Sequence, residues 1–192
     1  MNLRLQSIME MTYSFASIDR DMYYPHREKS ENDAEHVFQL ALIAWHIIEV
    51  DKLKLDTSKV FKLCLAHDLV EIYSGDVPLW GKSGHDEKKS RELAALETLK
   101  EKLPDVPDIT DVIFEYKERQ TEEAKFVYAV DKLTPLLNQL NIEGKVWKNH
   151  NVTLEMVIEV ISKYDKVSPY LTKYFDEAML YLKENKERYF SV

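Results

Sequence analysis

The sequence predicts an all-α fold, a bundle of helices in one domain. Its 192 residues include only four glycines and six prolines, and Leu, Glu and Lys are abundant, which favours helix over sheet. Apolar residues recur at helical spacing along most of the chain. The length suits one sizeable core, so we expect residues 1–192 to form a single domain.

The apolar spacing predicts eight helices joined by mostly short connections. They are expected at residues 3–18, 32–50, 57–73, 86–103, 108–118, 122–140, 153–164 and 169–186. Two of the longer connections are assigned a character from their composition. Residues 19–30 are predicted to be an irregular polar loop, and residues 75–86, which hold three of the four glycines, a loop able to act as a lid.

Local signals indicate where these helices begin and end. Ser30 with Asp33 three residues later resembles a capping box at the start of the second helix. Gly75 is expected to cap the end of the third helix, and Thr121 the start of the sixth. Pro135 lies inside the apolar pattern of the sixth helix, so a kink or a break is expected near Asp131.

Charge and composition exclude several classes of function. A formal net charge of −8 argues against a surface for DNA or RNA, although a metal and a few basic residues could still bind a small phosphorylated substrate. The longest apolar run, residues 40–48, is too short to span a membrane. A single cysteine, Cys64, and a polar N-terminal segment predict a cytoplasmic protein.

Ionisable residues interrupt the apolar stripes of three separate helices. These residues are His36, the adjacent pair His67 and Asp68, and Asp131. Each alone is more often a satisfied buried or surface group, but facing helices of a bundle can bring such residues around one metal ion. Two imidazoles and two carboxylates favour Mn, Fe, Co, Ni or Zn over Ca or Mg. Four ligands leave coordination positions for water and a phosphoryl oxygen, which predicts a hydrolytic site.

One other His-Asp pair is present, and it is interpreted differently. His85 and Asp86 lie in a Gly/Lys/Ser segment at an expected helix start, where Asp is a common cap and His is solvated.

The order His36, His67–Asp68, Asp131 resembles the H…HD…D signature of the HD-domain metal-dependent phosphohydrolases, an all-helical family. The flanking segments ENDAEH, AHDLVEIYSGD and EAKFVYAVDKLTPLL are similar to the small single-domain branch that contains the YfbR-type 5′-deoxynucleotidases. The resemblance implies an HD-type helical bundle with a metal-site core at about residues 30–140, on which C-terminal helices at about 150–188 pack.

The resemblance also implies roles for individual residues. One divalent ion, with Mn or Co usual in the family, would be held by His36, His67, Asp68 and Asp131. Glu71 matches the catalytic acid that orients or deprotonates the attacking water, and Asp76 matches an acidic residue that positions water and substrate.

Other residues would contact the substrate. Arg20 matches an arginine that binds the phosphate, but Asp21 follows it where the nucleotidase pattern has Trp. Lys29 and Lys82 are further candidates for phosphate contact. The remaining expected substrate contacts, in the loop after Asp76, are Pro78 and Leu79.

The implied reaction is hydrolysis of the phosphate monoester of a (deoxy)nucleoside 5′-monophosphate or a similar small phosphorylated metabolite. A pyrophosphohydrolase acting on a triphosphate or alarmone is the nearest alternative, because the ligand set does not fix how much phosphate leaves. A two-metal phosphodiesterase is less favoured, since only His85 lies between the HD pair and the last Asp. A non-catalytic helical interaction protein would bind no metal.

Family analogy and the tyrosine-rich C-terminal region predict a homodimer.

Overall fold

The computed structural model describes residues 5–80, 85–106 and 108–191, and of residues 85–89 only the backbone. The chain is 66% helical with one small sheet, which confirms the all-α prediction. The helices are α1 (Gln6–Phe15), α2 (Asp33–Asp51), α3 (Thr57–Ala66), α4 (Glu71–Ser74), α5 (His85–Lys102), α6 (Asp108–Glu118), α7 (Glu122–Asn141), α8 (Lys145–Asn149), α9 (Leu154–Ile161), α10 (Thr172–Glu184) and α11 (Lys186–Tyr189). Among them, none combines the length and apolar character needed to cross a membrane.

The irregular loop expected at residues 19–30 is wrong, because this segment forms a short hairpin. Strand β1 (Asp19–Tyr23) pairs antiparallel with β2 (Ser30–Asn32), with an irregular register between the two ends of β1. The segment is rich in charged residues, which hid the strand pattern, and only Met22 of β1 is fully buried. The hairpin carries residues 20 and 31 to the start of α2.

The N-cap of helix α2 lies two residues later than the predicted Ser30 cap. Asn32 is the N-cap: its side chain accepts a hydrogen bond from the Glu35 backbone N–H, and the Glu35 carboxylate accepts one from the Asn32 N–H. Asp33 and His36 therefore lie in the first turn of α2, and both are buried.

The single helix expected at residues 57–73 is also wrong, because it is broken at the His-Asp pair. Helix α3 ends at Ala66, and a tight turn with hydrogen bonds from Leu69 N–H to the Ala66 carbonyl and from Glu71 N–H to the Asp68 carbonyl leads into α4. In a continuous helix the adjacent side chains of His67 and Asp68 would diverge by about 100°, and the turn removes this constraint. The predicted cap at Gly75 is confirmed, with φ 74°.

Helix α7 runs through the core without the predicted break at Pro135. Thr121 caps its start, as expected, by accepting a hydrogen bond from Ala124 N–H. The helix belongs to the main hydrophobic cluster, which also contains buried residues from α2, α3 and α10. Phe175 of α10 belongs to this cluster, so the C-terminal helices share the core that supports α7. The short helix α8 was not anticipated.

Candidate active site

Two histidines converge on one carboxylate from different parts of the chain. His36 Nε2 of α2 lies 3.0 Å from Asp131 Oδ1 of α7, and His67 Nε2 of the turn after α3 lies 3.8 Å from the same oxygen. His67 Nε2 is also 3.1 Å from Asp68 Oδ2. Side chains from three distant segments thus meet at one point in the interior, where His36, His67 and Asp131 are all buried.

The nitrogen atoms of His67 are arranged as those of a metal ligand. Its Nδ1 lies 2.9 Å from the Cys64 carbonyl oxygen, and since a carbonyl only accepts hydrogen bonds, Nδ1 carries a proton. Nε2 is buried and has no hydrogen-bond partner among the described residues, despite its closeness to Asp68. One donor atom from each of His36, His67 and Asp68 can be chosen so that all lie within 4.8 Å of one another. The donor set therefore fits a divalent cation with nitrogen and oxygen ligands.

The other oxygen of Asp131 is fixed by two donors. The Tyr116 hydroxyl donates to Oδ2 at 2.6 Å, and the Lys132 ammonium group lies 2.7 Å from the same atom. Tyr116 is buried, and its ring lies 4.9 Å from that of His67, centroid to centroid. These contacts leave Oδ1 facing the two histidines.

The two histidines have opposite electrostatic environments. Burial, with Arg20 nearby, lowers the pKa of His36 to about 4, so its ring is neutral at physiological pH. Burial also disfavours charge on His67, but Asp68 and Asp131 outweigh it and raise the pKa of His67 to about 10. Without a cation the carboxylates would keep a proton on His67, and a metal ion must displace that proton to bind Nε2.

We therefore expect the affinity for Mn²⁺ to decrease as the pH falls. The His67 pKa is raised, so the competing proton is present below about pH 10 and is lost above it, and the apparent affinity should drop by about tenfold per pH unit below that value. Isothermal titration at pH 8 in buffers of different ionisation enthalpy should detect about one proton released per ion bound. His46→Gln, which alters a histidine at an exposed position, is the control and should release the same number of protons as the unaltered protein. Binding without proton release would contradict this assignment.

Glu71 lies one turn beyond the His-Asp pair, at the start of α4. It is 6% exposed, and its Oε2 has no hydrogen-bond partner among the described residues. Burial, together with the charges of Asp68 and Asp76, raises the pKa of Glu71 to about 10. A buried carboxyl group with so strongly shifted a pKa is a candidate for proton transfer.

Arg20 is held by the acidic residues around the site. Its Nη1 lies 2.9 Å from Asp33 Oδ1, 3.0 Å from Asp68 Oδ2 and 3.9 Å from Glu71 Oε2. Asp33 was missed as a site residue. The only sequence signal was an acidic residue near an expected helix start, where it was interpreted as part of a cap.

Glu31 is a second site residue that the sequence did not indicate. It is 1% exposed, and its Oε1 accepts a hydrogen bond from the Tyr24 hydroxyl at 3.4 Å and lies 3.8 Å from His36 Nδ1. Burial raises the pKa of this carboxyl to about 7. Carboxylates commonly orient metal-binding histidines through the ring nitrogen that does not contact the metal, and Glu31 lies on that side of His36, at a distance longer than a hydrogen bond.

The site opens into a cavity of about 480 Å³. Eight of the expected site residues line this cavity, and His36 does not. The eight are Arg20, His67, Asp68, Glu71, Asp76, Pro78, Leu79 and Asp131. Asp21 also lines it, and its carboxylate accepts a hydrogen bond from His150 Nε2 at 2.6 Å. Lys29 is exposed and does not line the cavity, so the structure does not bring it to the site. Lys82 and the side chains of His85 and Asp86 lie outside the described residues.

Comparisons with known proteins agree with this geometry. The chain is 33% identical to the 5′-deoxynucleotidase HDDC2 of Xenopus laevis over 122 residues, which are 62% of this chain. It is 24% identical over 126 residues to the 5′-deoxynucleotidase hdd1 of Schizosaccharomyces pombe. The chain spans about 60% of the length of these curated relatives, 59% and 61% respectively.

Solved structures match over nearly the whole chain. A protein from Magnetospirillum magnetotacticum MS-1, described as a "predicted metal-dependent phosphohydrolase", is 29% identical with a TM-score of 0.82, and the match covers 98% of this chain and 96% of that one. A conserved hypothetical protein from Pyrococcus furiosus, 23% identical, shares the fold with a TM-score of 0.66 over 89% of this chain and 96% of its own. The family profile described as HD domain matches residues 17–171. With most of its length matched in this way, the chain belongs to the HD domain family.

Proposed function

We propose that this protein is a metal-dependent phosphohydrolase that releases phosphate from (deoxy)nucleoside 5′-monophosphates. The observation that carries the proposal is the convergence of His36, His67, Asp68 and Asp131 beside a cavity of about 480 Å³. The names of the relatives from Xenopus laevis and Schizosaccharomyces pombe, both 5′-deoxynucleotidases, support the choice of substrate class.

In this proposal the four residues hold one divalent transition metal ion, with Mn or Co preferred and Fe, Ni or Zn as alternatives. When bound, such an ion would supply Lewis-acid chemistry, offsetting charge on a phosphoryl group and making a water molecule more acidic. Lys132 and Tyr116 keep Asp131 in a fixed orientation through its second oxygen, as Cys64 does for His67 through Nδ1.

The remaining site residues act on the water and the phosphate. Glu71 is buried next to the metal ligands, and its Oε2 has no hydrogen-bond partner among the described residues. Burial and the charge of Asp68 raise the pKa of Glu71, and a cation held by Asp68 would offset that charge, so that Glu71 would accept the proton of the attacking water and return it to the leaving oxygen. Asp76 shares the cavity wall with Glu71 and positions the water. Arg20, anchored by Asp33, offsets negative charge on the phosphoryl oxygens.

Several features of the chain stay predictions. We propose that the described segments act as one HD domain, since α10 shares the hydrophobic cluster of α2, α3 and α7. A cytoplasmic location rests on composition alone. A homodimer is supported by exposed apolar side chains on α2 and α3, namely Phe38, Trp45 and Leu65, whose surface self-association would bury.

The test of this function begins with metal analysis of protein purified without added metal. Phosphate release is then measured over nucleoside mono-, di- and triphosphates with Mn²⁺ or Co²⁺. We expect release from 5′-monophosphates that stops when a chelator is added and returns with fresh metal. Release of pyrophosphate from triphosphates instead would favour the pyrophosphohydrolase, and a protein that binds no metal and releases no phosphate would be a helical interaction protein.

A further inference from the structure

The cavity wall next to Asp131 carries three basic residues that do not contact the phosphate in the reaction proposed above. Lys117, Arg119 and Lys132 all line the cavity. Arg119 and Lys132 share one aromatic ring: the Arg119 Cζ lies 4.5 Å and the Lys132 Nζ 5.2 Å from the centroid of Tyr128. Two full positive charges are thus held against a single tyrosine within the cavity.

The partners of these three basic groups differ. The Lys117 ammonium donates to Glu92 at 2.8 Å, so its charge is matched by a carboxylate on α5. Lys132 is matched by Asp131 Oδ2, 2.7 Å away, and this contact uses one of its three N–H donors. Arg119 forms no ion pair with any residue that the structure describes, and its guanidinium contacts the Tyr128 ring instead.

Two features restrain Arg119: its backbone conformation at the end of α6 and the contact of its guanidinium group with the Tyr128 ring. Residue 119 follows the last residue of α6 in a left-handed conformation, φ 51°, and its N–H donates to the Glu115 carbonyl. Tyr128 in turn packs against Tyr116 and Tyr164, with ring centroids 5.7 Å and 6.0 Å apart. Arg119 is exposed, and its contact with the Tyr128 ring restrains the guanidinium group before a ligand binds.

An anionic group is the ligand that matches this wall. Arg119 has no carboxylate partner among the described residues, and the Lys132 ammonium group can donate to a ligand as well as to Asp131, because it carries three N–H donors. Phosphate oxygens pair well with guanidinium and ammonium groups. An uncharged nucleobase stacked on Tyr128, or a single phosphate placed between the metal ligands and Arg20, would leave the charge of Arg119 unmatched.

We propose that Arg119 and Lys132 form a second anion subsite, so that the substrate is a nucleotide that carries a second phosphate in addition to the one that is cleaved. A nucleoside 3′,5′-bisphosphate has this chemistry, because it keeps the 5′-monophosphate ester of the proposed function and adds a second phosphate. The proposal rests on the proposed function, because it assumes that the first phosphate lies at the HD site.

The test compares three probes that share a base: deoxyadenosine 5′-monophosphate, deoxyadenosine 3′,5′-bisphosphate and deoxyadenosine 5′-diphosphate. Phosphate release with Mn²⁺ gives kcat/KM for each. We expect the 3′,5′-bisphosphate to exceed the monophosphate by about tenfold, and an Arg119→Gln variant to lose that advantage. An advantage for the 5′-diphosphate alone would overturn the assignment of the substrate. Arg188→Gln, which alters an exposed arginine paired with Glu143 outside the cavity, should keep it.

Binding provides a readout that does not depend on turnover. The dissociation constants of the same three probes are measured in Mn²⁺ by titration of the Glu71→Gln protein, with and without Arg119→Gln. An advantage for a doubly phosphorylated probe that requires Arg119 supports the subsite, and equal affinities in the presence and absence of Arg119 overturn it. If no probe is hydrolysed by the wild-type protein, the proposed function fails, while these affinities still decide whether the subsite exists.

Discussion

Replacing Glu71 with glutamine is expected to lower kcat for phosphate release by about a thousandfold and to leave Mn²⁺ binding unchanged. Glutamine keeps the size of the side chain and can still form hydrogen bonds, but it cannot exchange a proton with water. Glu71 is buried and lies outside the group of four proposed ligands, so its loss should affect proton transfer rather than the metal. Kinetics and the metal content of the same preparation measure the two effects separately.

Glu187→Gln, at an exposed position of α11, is the matched control and should keep full activity. Two results would contradict the assignment. If Glu71→Gln loses the metal together with activity, Glu71 is a ligand and the coordination set must be revised. If it retains wild-type kcat, the proton is handled by another group, for which Asp76 on the same cavity wall is a candidate.

The centre of the site could be predicted from the sequence because each of its residues stands out from the apolar pattern of its own segment. His36, His67 and Asp131 each interrupt an apolar stripe, and a stripe of helical period shows which side of a helix is buried. An ionisable residue on that side needs a partner, so three such residues on three helices point to a common centre. This reasoning requires only the spacing along each helix.

The surroundings of the site could not be predicted, because they depend on contacts between distant segments. Arg20 is expected at the site from the family resemblance, but its pairing with Asp33 is not, because it joins β1 to the start of α2 and the charged sequence of β1 indicates a loop. Glu31 is buried because β2 carries it toward His36, and no local pattern marks it. Arg119 lies in a turn between two helices, and only the fold brings it to the ring of Tyr128.

The break between α3 and α4 shows how the site overrides local preference. The segment has the apolar pattern of one continuous helix, yet the chain turns at His67 and Asp68. The turn places His67 Nε2 near both Asp68 and Asp131, with distances of 3.1 Å and 3.8 Å. Departures from sequence preference are expected where function imposes its own geometry.

Replacing Asp131 with asparagine is expected to weaken Mn²⁺ binding by at least about 100-fold. Asp131 Oδ1 is the oxygen nearest to both histidines, and the change also leaves Lys132 without its carboxylate partner. Titration measures the affinity, and thermal unfolding with and without Mn²⁺ gives a second readout.

For the wild-type protein, Mn²⁺ at 100 times its dissociation constant should stabilise the folded state by about 2.7 kcal/mol, a rise in Tm of roughly 5–10 °C. Asp131→Asn should show almost none of this rise, whereas Asp176→Asn, at an exposed position of α10, should show all of it. A full rise in Asp131→Asn would mean that the ion binds elsewhere, for instance among Asp33, Asp68 and Glu71, whose donor atoms also lie within 4.8 Å of one another. Arg20 Nη1 already lies among those three carboxylates, so its positive charge disfavours that alternative.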